Sequence, residues 1–168
     1  QQSDVCAACH AGLGKQVFTH GPITVGGCLP CHDYQSFPNR YELRSQGAAL
    51  CYTCHDKVRD TIKERTLVHG PVAAGFCVVC HDPHGSSERF LLLRRTDRLC
   101  INCHQDMLRE LANPVLHKPV EEGNCTGCHD PHAAKYRNNL SLSGNDLCFS
   151  CHKGIAQALA GSKFRHKP

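Results

Sequence analysis

Apolar positions are thinly spread along this chain and never gather into a long run. Nothing approaches the roughly 20 consecutive apolar residues of a membrane-spanning helix. Helix-like stretches stand at Asp56 to Arg65, Gln105 to Ala112 and Lys153 to Ala160. Asn113-Pro114 closes the second, because proline disfavours helical backbone in the residue before it. Arg89 to Arg94 reads as a short strand. Turn residues fill other stretches, as in Asp82-Pro83-His84-Gly85-Ser86-Ser87. The pattern predicts a mostly irregular fold with short α-helices and little or no β.

Composition sharpens this picture. Leu, Ile, Val and Phe make up about 21% of the chain, at the edge of the range for chains that stay disordered. There is no Trp and one Met in 168 residues. A chain of this length ordinarily buries more than such a composition permits. Its core must come from something other than its own side chains.

The cysteines supply the candidate. All 14 fall in seven copies of C-x-x-C-H. The first cysteines of the motifs are Cys6, Cys28, Cys51, Cys77, Cys100, Cys125 and Cys148. The second cysteines are Cys9, Cys31, Cys54, Cys80, Cys103, Cys128 and Cys151. The histidines that follow are His10, His32, His55, His81, His104, His129 and His152. This is the attachment pattern of c-type haem: two thiols bond the porphyrin, and the adjacent histidine is the proximal iron ligand. The Cys9–Cys28 and Cys31–Cys51 spacings also suit zinc, and an even cysteine count suits disulfides. Neither requires a histidine after every second cysteine, so seven covalent haems, with their iron, are the expected cofactors. The haem-free chain is then expected not to fold.

The motifs are of two alternating types. Type A follows an aliphatic residue: Val5, Leu50, Leu99 or Leu147. Type B follows a His-x-Pro signature, at His20, His69 and His117, and a glycine, Gly26, Gly75 or Gly123. An aspartate comes after it: Asp33, Asp82 or Asp130. The A–B pair is the repeat. It divides a single domain, 1–168, into pairs at about 1–48, 49–97 and 98–145, with a half repeat at 146–168. That half repeat closes on His166-Lys167-Pro168, the opening of another type B signature.

These alternating pairs, with Cys-His-Asp-Pro-His at 80–84 and 128–132, resemble the doubled-CXXCH family of multihaem cytochromes over essentially the whole chain. The resemblance implies a multihaem cytochrome c fold, with polypeptide wrapped around a closely packed haem chain and iron mostly held between two histidines. It also implies electron transfer across or beyond the cell envelope. Some cytochromes of this general type polymerise into extracellular conductive filaments, so a nanowire subunit is one expected form.

Six histidines stand outside the motifs: His20, His69, His84, His117, His132 and His166. All occupy repeated positions, so each is a candidate distal iron ligand. His84 and His132 follow their own proximal histidines by three residues, which points them to a neighbouring haem. The His-x-Pro histidines precede the type B proximal histidine by a constant distance, which favours that haem. They also number four, matching the four A motifs. Seven irons against six spare histidines leave one haem without a second histidine. Gln35 holds the position of His84 and His132 in the first B module, so the shortfall is expected near that motif. Met107 is the obvious substitute, but Leu13, Val58 and Ile155 hold its place after the other A motifs, so packing is its expected role.

Charge changes the picture last. The formal +4 suggests a basic protein. Fourteen propionates would take it to about −3 oxidised and about −10 reduced if all ionise. No nucleic-acid partner is implied. The expected partners are redox proteins or copies of the chain, including a homopolymer. The expected function is electron transport and not catalysis. A small-oxyanion reductase with one open haem is the alternative. C-type haem is attached outside the cytoplasmic membrane, so a periplasmic or extracellular location is expected. The chain reads as processed, its export signal removed.

Overall fold

The computed structural model describes residues 2–163, and side chains from residue 5 onward. Short helices dominate, joined by turns. Helices Ala48–Tyr52, Thr96–Ile101 and Gly144–Cys151 lead into A motifs. The aliphatic residues Leu50, Leu99 and Leu147 ahead of these cysteines are half-buried, whereas Val5 is exposed. Helices Asp56–Lys63, Met107–Leu111 and Lys153–Gly161 follow the A motifs, where the helix-like stretches are read in the sequence. Arg89 to Arg94 departs from the expected strand. It holds a 3-10 turn at Arg89–Leu91, with Phe90 and Leu91 in the left-handed region at φ 59° and 57°.

The His-x-Pro signature builds one repeated device. His20, His69 and His117 each precede a single helical turn: Gly21–Thr24, Gly70–Ala73 and Lys118–Glu121. Their backbone angles agree closely, with φ −61° to −63° and ψ 131° to 136°. Proline in the first turn starts each helix, because its fixed φ is already helical and its missing N–H would have had no partner.

Strands are few and two residues long: β1 Phe18–Thr19, β2 His32–Asp33, β3 Glu42–Leu43, β4 Leu67–Val68, β5 Gly85–Ser86 and β6 Ala133–Ala134. β2 and β3 close a loop within the first B module. The other two ladders link modules, all antiparallel. β1 pairs with β5, Phe18 opposite Ser86, and β4 pairs with β6, Leu67 opposite Ala134. The segment behind each later B motif is thus seated on the strand ahead of the previous module's His-x-Pro.

These seats are the most enclosed part of the polypeptide. Ala133 is 2% exposed, Ala134 4% and Ser86 8%, and among the described residues no large side chain is fully buried. The accessible surface is 12969 Å², against about 8,200 Å² for a compact protein of this mass. The polypeptide is a frame around space that its own side chains do not fill.

Candidate functional site

Each motif forms one closed turn. The histidine N–H donates to the carbonyl of the first cysteine in all seven copies, at 2.9 to 3.1 Å. Residues three and four apart on such a turn are neighbours. Both thiols and the imidazole therefore project from one short piece of backbone. None of the 14 cysteines is paired with another in a disulfide. The second cysteine separates the two motif types. Cys9, Cys54, Cys103 and Cys151 of the A motifs are exposed, whereas Cys31, Cys80 and Cys128 of the B motifs are half-buried. Among the described residues, no group of three or more His, Cys, Asp or Glu side chains is arranged to hold a metal ion.

The spare histidines meet the motif histidines in pairs. His20 lies against His55, His69 against His104 and His81 against His132, each with ring centres 6.0 Å apart and planes within 19°. His32 meets His84 at 6.3 Å and 9°, and His117 meets His152 at 6.0 Å and 33°. These gaps suit an intervening ion. A metal held by two imidazole nitrogens lies roughly 2.0 to 2.1 Å from each, which leaves the ring centres about 6 Å apart.

A rule emerges from the pairs. A His-x-Pro histidine faces the proximal position of the following A motif, and not that of its own B motif. A histidine three residues behind a B motif faces the proximal position of the preceding B motif. Gln35 therefore takes nothing from the first B module, since His32 faces His84. The expected shortfall moves elsewhere. Among the described residues, His10 and His129 have no partner ring, and His166 lies outside them. Met107 is 43% exposed in the polypeptide.

Second partners orient the rings. Nδ1–H of His20 donates to Pro83 O at 2.8 Å, and that of His69 to Pro131 O at 3.0 Å. Their backbone N–H groups donate to His84 O and His132 O at 3.0 and 2.9 Å. Two spare histidines, bound for different motifs, are thus fixed side by side. The type B proximal histidines are tethered too. His32, His81 and His129 donate from Nδ1 to the carbonyls of Tyr41, Phe90 and Asn138 at 2.7 to 2.8 Å. Such a bond turns the other nitrogen, Nε2, outward as the free ligand. The residues that supply these carbonyls, Tyr41, Phe90 and Asn138, all have left-handed φ, a signal that spacing alone does not carry.

The aspartate behind each B motif also has a visible task. Asp82 Oδ1 accepts from His84 N at 2.9 Å, Asp130 Oδ1 from His132 N at 2.9 Å, and Asp33 Oδ1 from Gln35 N at 3.0 Å. This is an Asx-type turn, and it sets the direction of the third residue. Burial holds the His132 imidazole below its usual pKa, and neighbouring His81 adds to the effect. The neutral ring this favours is the form that binds a metal.

Successive motifs adjoin. Burial pushes the Cys51 thiol up to about 11, with further contributions from Cys77 and Cys31. Cys100 is raised to about 11 by burial first and then by Cys125 and Cys80. Burial also raises Cys80, with Cys103 of the next motif adding to it. Cys28 is raised by burial and by contact with Cys6. Neighbouring thiols therefore come from successive motifs, from the first to the sixth. Arg65 Nε is buried without a partner. Such a guanidinium suits a carboxylate, which a bound haem's propionate would provide.

The doubled CXXCH motif family matches at residues 20–60, 69–109 and 117–157, well over half of the chain. The chain belongs to that family. It is a multihaem c-type cytochrome, it binds haem c covalently, and it works in electron transfer. The cytochrome matches no curated protein. Each matched segment runs from a His-x-Pro histidine through a B motif and an A motif to five residues beyond the latter. The family repeat is thus B followed by A, offset from the A–B division expected from the sequence. No described helix of the cytochrome is long and apolar enough to cross a membrane.

Proposed function

We propose that this cytochrome is a linear relay of seven covalent haems, and that the five histidine pairs are axial ligand pairs. The haems supply reversible one-electron iron chemistry at closely spaced centres. The chain's own residues do the rest. The motif turns fix the thiols, the carbonyl tethers present Nε2, and the seated strands clamp one module to the next. The separation of paired ring centres, 6.0 to 6.3 Å in five places, carries the reading. Contact between thiols of successive motifs supports a relay in sequence order. Two fixed imidazoles leave an iron no free position, which suits an electron carrier better than an oxyanion reductase. Because haem c is attached outside the cytoplasmic membrane, the proposed place of action is the periplasm or the cell surface. Of the two partners expected from the sequence, a different redox protein is favoured over a further copy. Gln35 is why, since a copy would present it where a histidine is needed.

Mass spectrometry of the intact protein tests the haem count, with seven covalent haems expected. Electron paramagnetic resonance of the oxidised protein tests the pairs. At least five low-spin bis-histidine centres are expected, and fewer would overturn the assignment.

A further inference from the structure

The third B module carries three loose ends that the first two modules have closed. In the first, the strand Phe18–Thr19, the His20 amide and Nδ1, and the gap opposite His32 are all closed by one segment, Asp82 to Ser86. In the second, Asp130 to Ala134 closes the strand Leu67–Val68, both donors of His69 and the gap opposite His81. In the third, the equivalent backbone at Val115 and Leu116 is in no ladder, and Val115 is 87% exposed. No described residue accepts from the His117 amide or from its Nδ1. No described ring faces His129, though Asn138 O holds it in the same tethered pose as His32 and His81. His20, His69, His32 and His81 are half-buried, while His117 and His129 are exposed.

We infer that this edge is a docking site for one extended segment, Asp-Pro-His followed by two small residues, carried directly behind a C-x-x-C-H motif of another multihaem chain. The fold shows twice what the seat takes. The two small residues lie flat on the strand, where Gly85, Ser86, Ala133 and Ala134 are buried. A side chain on Gly85 would come within 2.8 Å of Gln16, so bulk is excluded at that position. The histidine then reaches back to the face opposite His129. A second copy of this chain does not supply the segment. Its own Asp82–Ser86 and Asp130–Ala134 are already seated. Its first B module offers Gln35-Ser36-Phe37, with Gln35 in place of histidine and Phe37, 92% exposed, in place of a small residue. The partner is therefore a different cytochrome of the same repeat. The contact joins the two chains at a haem, because the incoming histidine completes the His129 site.

The inference rests on the histidine-pair reading, and the test separates the two. The holoprotein is titrated with a synthetic Asp-Pro-His-Ala-Ala peptide, while spin state and backbone amide exchange are followed. The low-spin centres are counted before any peptide is added. A deficit there refutes the pairs, whereas a full count with no peptide response refutes docking alone. The expected result is that one high-spin, carbon-monoxide-binding centre becomes low-spin as the amides of Val115 and His117 become protected. Val115→Pro removes the amide equivalent to those of Phe18 and Leu67. It should weaken the peptide about tenfold, the worth of one backbone hydrogen bond, and leave free imidazole binding unchanged. A peptide with Gln for His should leave the spin state unchanged. Docking is overturned by a His129 centre already six-coordinate before peptide, by an equal spin change with the Gln peptide, or by peptide binding indifferent to Val115→Pro. It is also overturned if the protein's own self-association removes the high-spin signal.

Discussion

At the scale of single residues, every gap between paired histidines depends on one ring from each of two modules. His84 is held by the Asp82 turn and faces His32 at 6.3 Å. His84→Ala removes the second ring and leaves the first turn of its module in place. One additional haem should then bind carbon monoxide in the reduced protein, measured by stoichiometric titration against the parent. His84→Met should restore six-coordination at a higher potential, because Met/His ligation raises the potential of c-type haem. Asp130 acts through the turn. Its Oδ1 accepts from His132 N at 2.9 Å and from Ala133 N at 3.2 Å. Asp130→Ala leaves both donors unpaired beside buried Ala133. It should cost about 1 to 3 kcal/mol in thermal unfolding of the holoprotein, and Asp130→Asn, which retains an acceptor, should cost less.

Among the elements, a close join lies between the B motif of one pair and the helix leading into its A motif. Gly123 sits there with φ +73°, and a Cβ on it would lie 2.6 Å from Asp97 Cβ in the helix Thr96–Ile101. Left-handed backbone costs an L-residue roughly 1 to 2 kcal/mol, and the contact adds to that. Gly123→Ala should therefore lower the melting temperature of the holoprotein. It should leave the mass of bound haem unchanged, since neither Cys125 nor Cys128 moves out of its turn. Gly75 has the same role with more room, its nearest neighbour being Ala48 N at 3.2 Å. Gly75→Ala should be the milder substitution in the same melt.

For the whole molecule, surface area is the telling quantity. The frame exposes 12969 Å², and the most buried apolar residues are alanines. The hydrophobic contribution of the polypeptide alone is too small to oppose chain entropy. The haem-free chain should show no cooperative thermal transition by circular dichroism. The holoprotein should melt cooperatively. Adjacent centres also interact: each electron added raises the cost of the next. A potentiometric titration should accordingly spread over a broad span, and a single sharp wave would contradict the contacts between successive motifs.

The sequence by itself determined the chemistry and the repeat. C-x-x-C-H closes a turn on its own, and His-x-Pro starts a helix on its own, so local spacing was enough to read both. Short helices behind the A motifs were legible for the same reason. Local spacing could not say which ring meets which, nor that Cys54 and Cys103 stand exposed while Cys80 and Cys128 are half-buried. His20 is closer in sequence to His32 than to His55, yet it faces His55, because β1 pairs with β5 and the Pro83 carbonyl turns its ring. That pairing brings together residues more than sixty positions apart. The strand expected over Arg89 to Arg94 failed for a related reason. A left-handed bend there delivers the Phe90 carbonyl to His81, a requirement of the tertiary site that no alternation of polar and apolar residues records. The position of the missing histidine was likewise a tertiary matter. Gln35 marked a missing histidine, but only the back-reaching geometry of His84 and His132 showed that the first B module does without it and that, among the described residues, the type B ring left unpaired is His129.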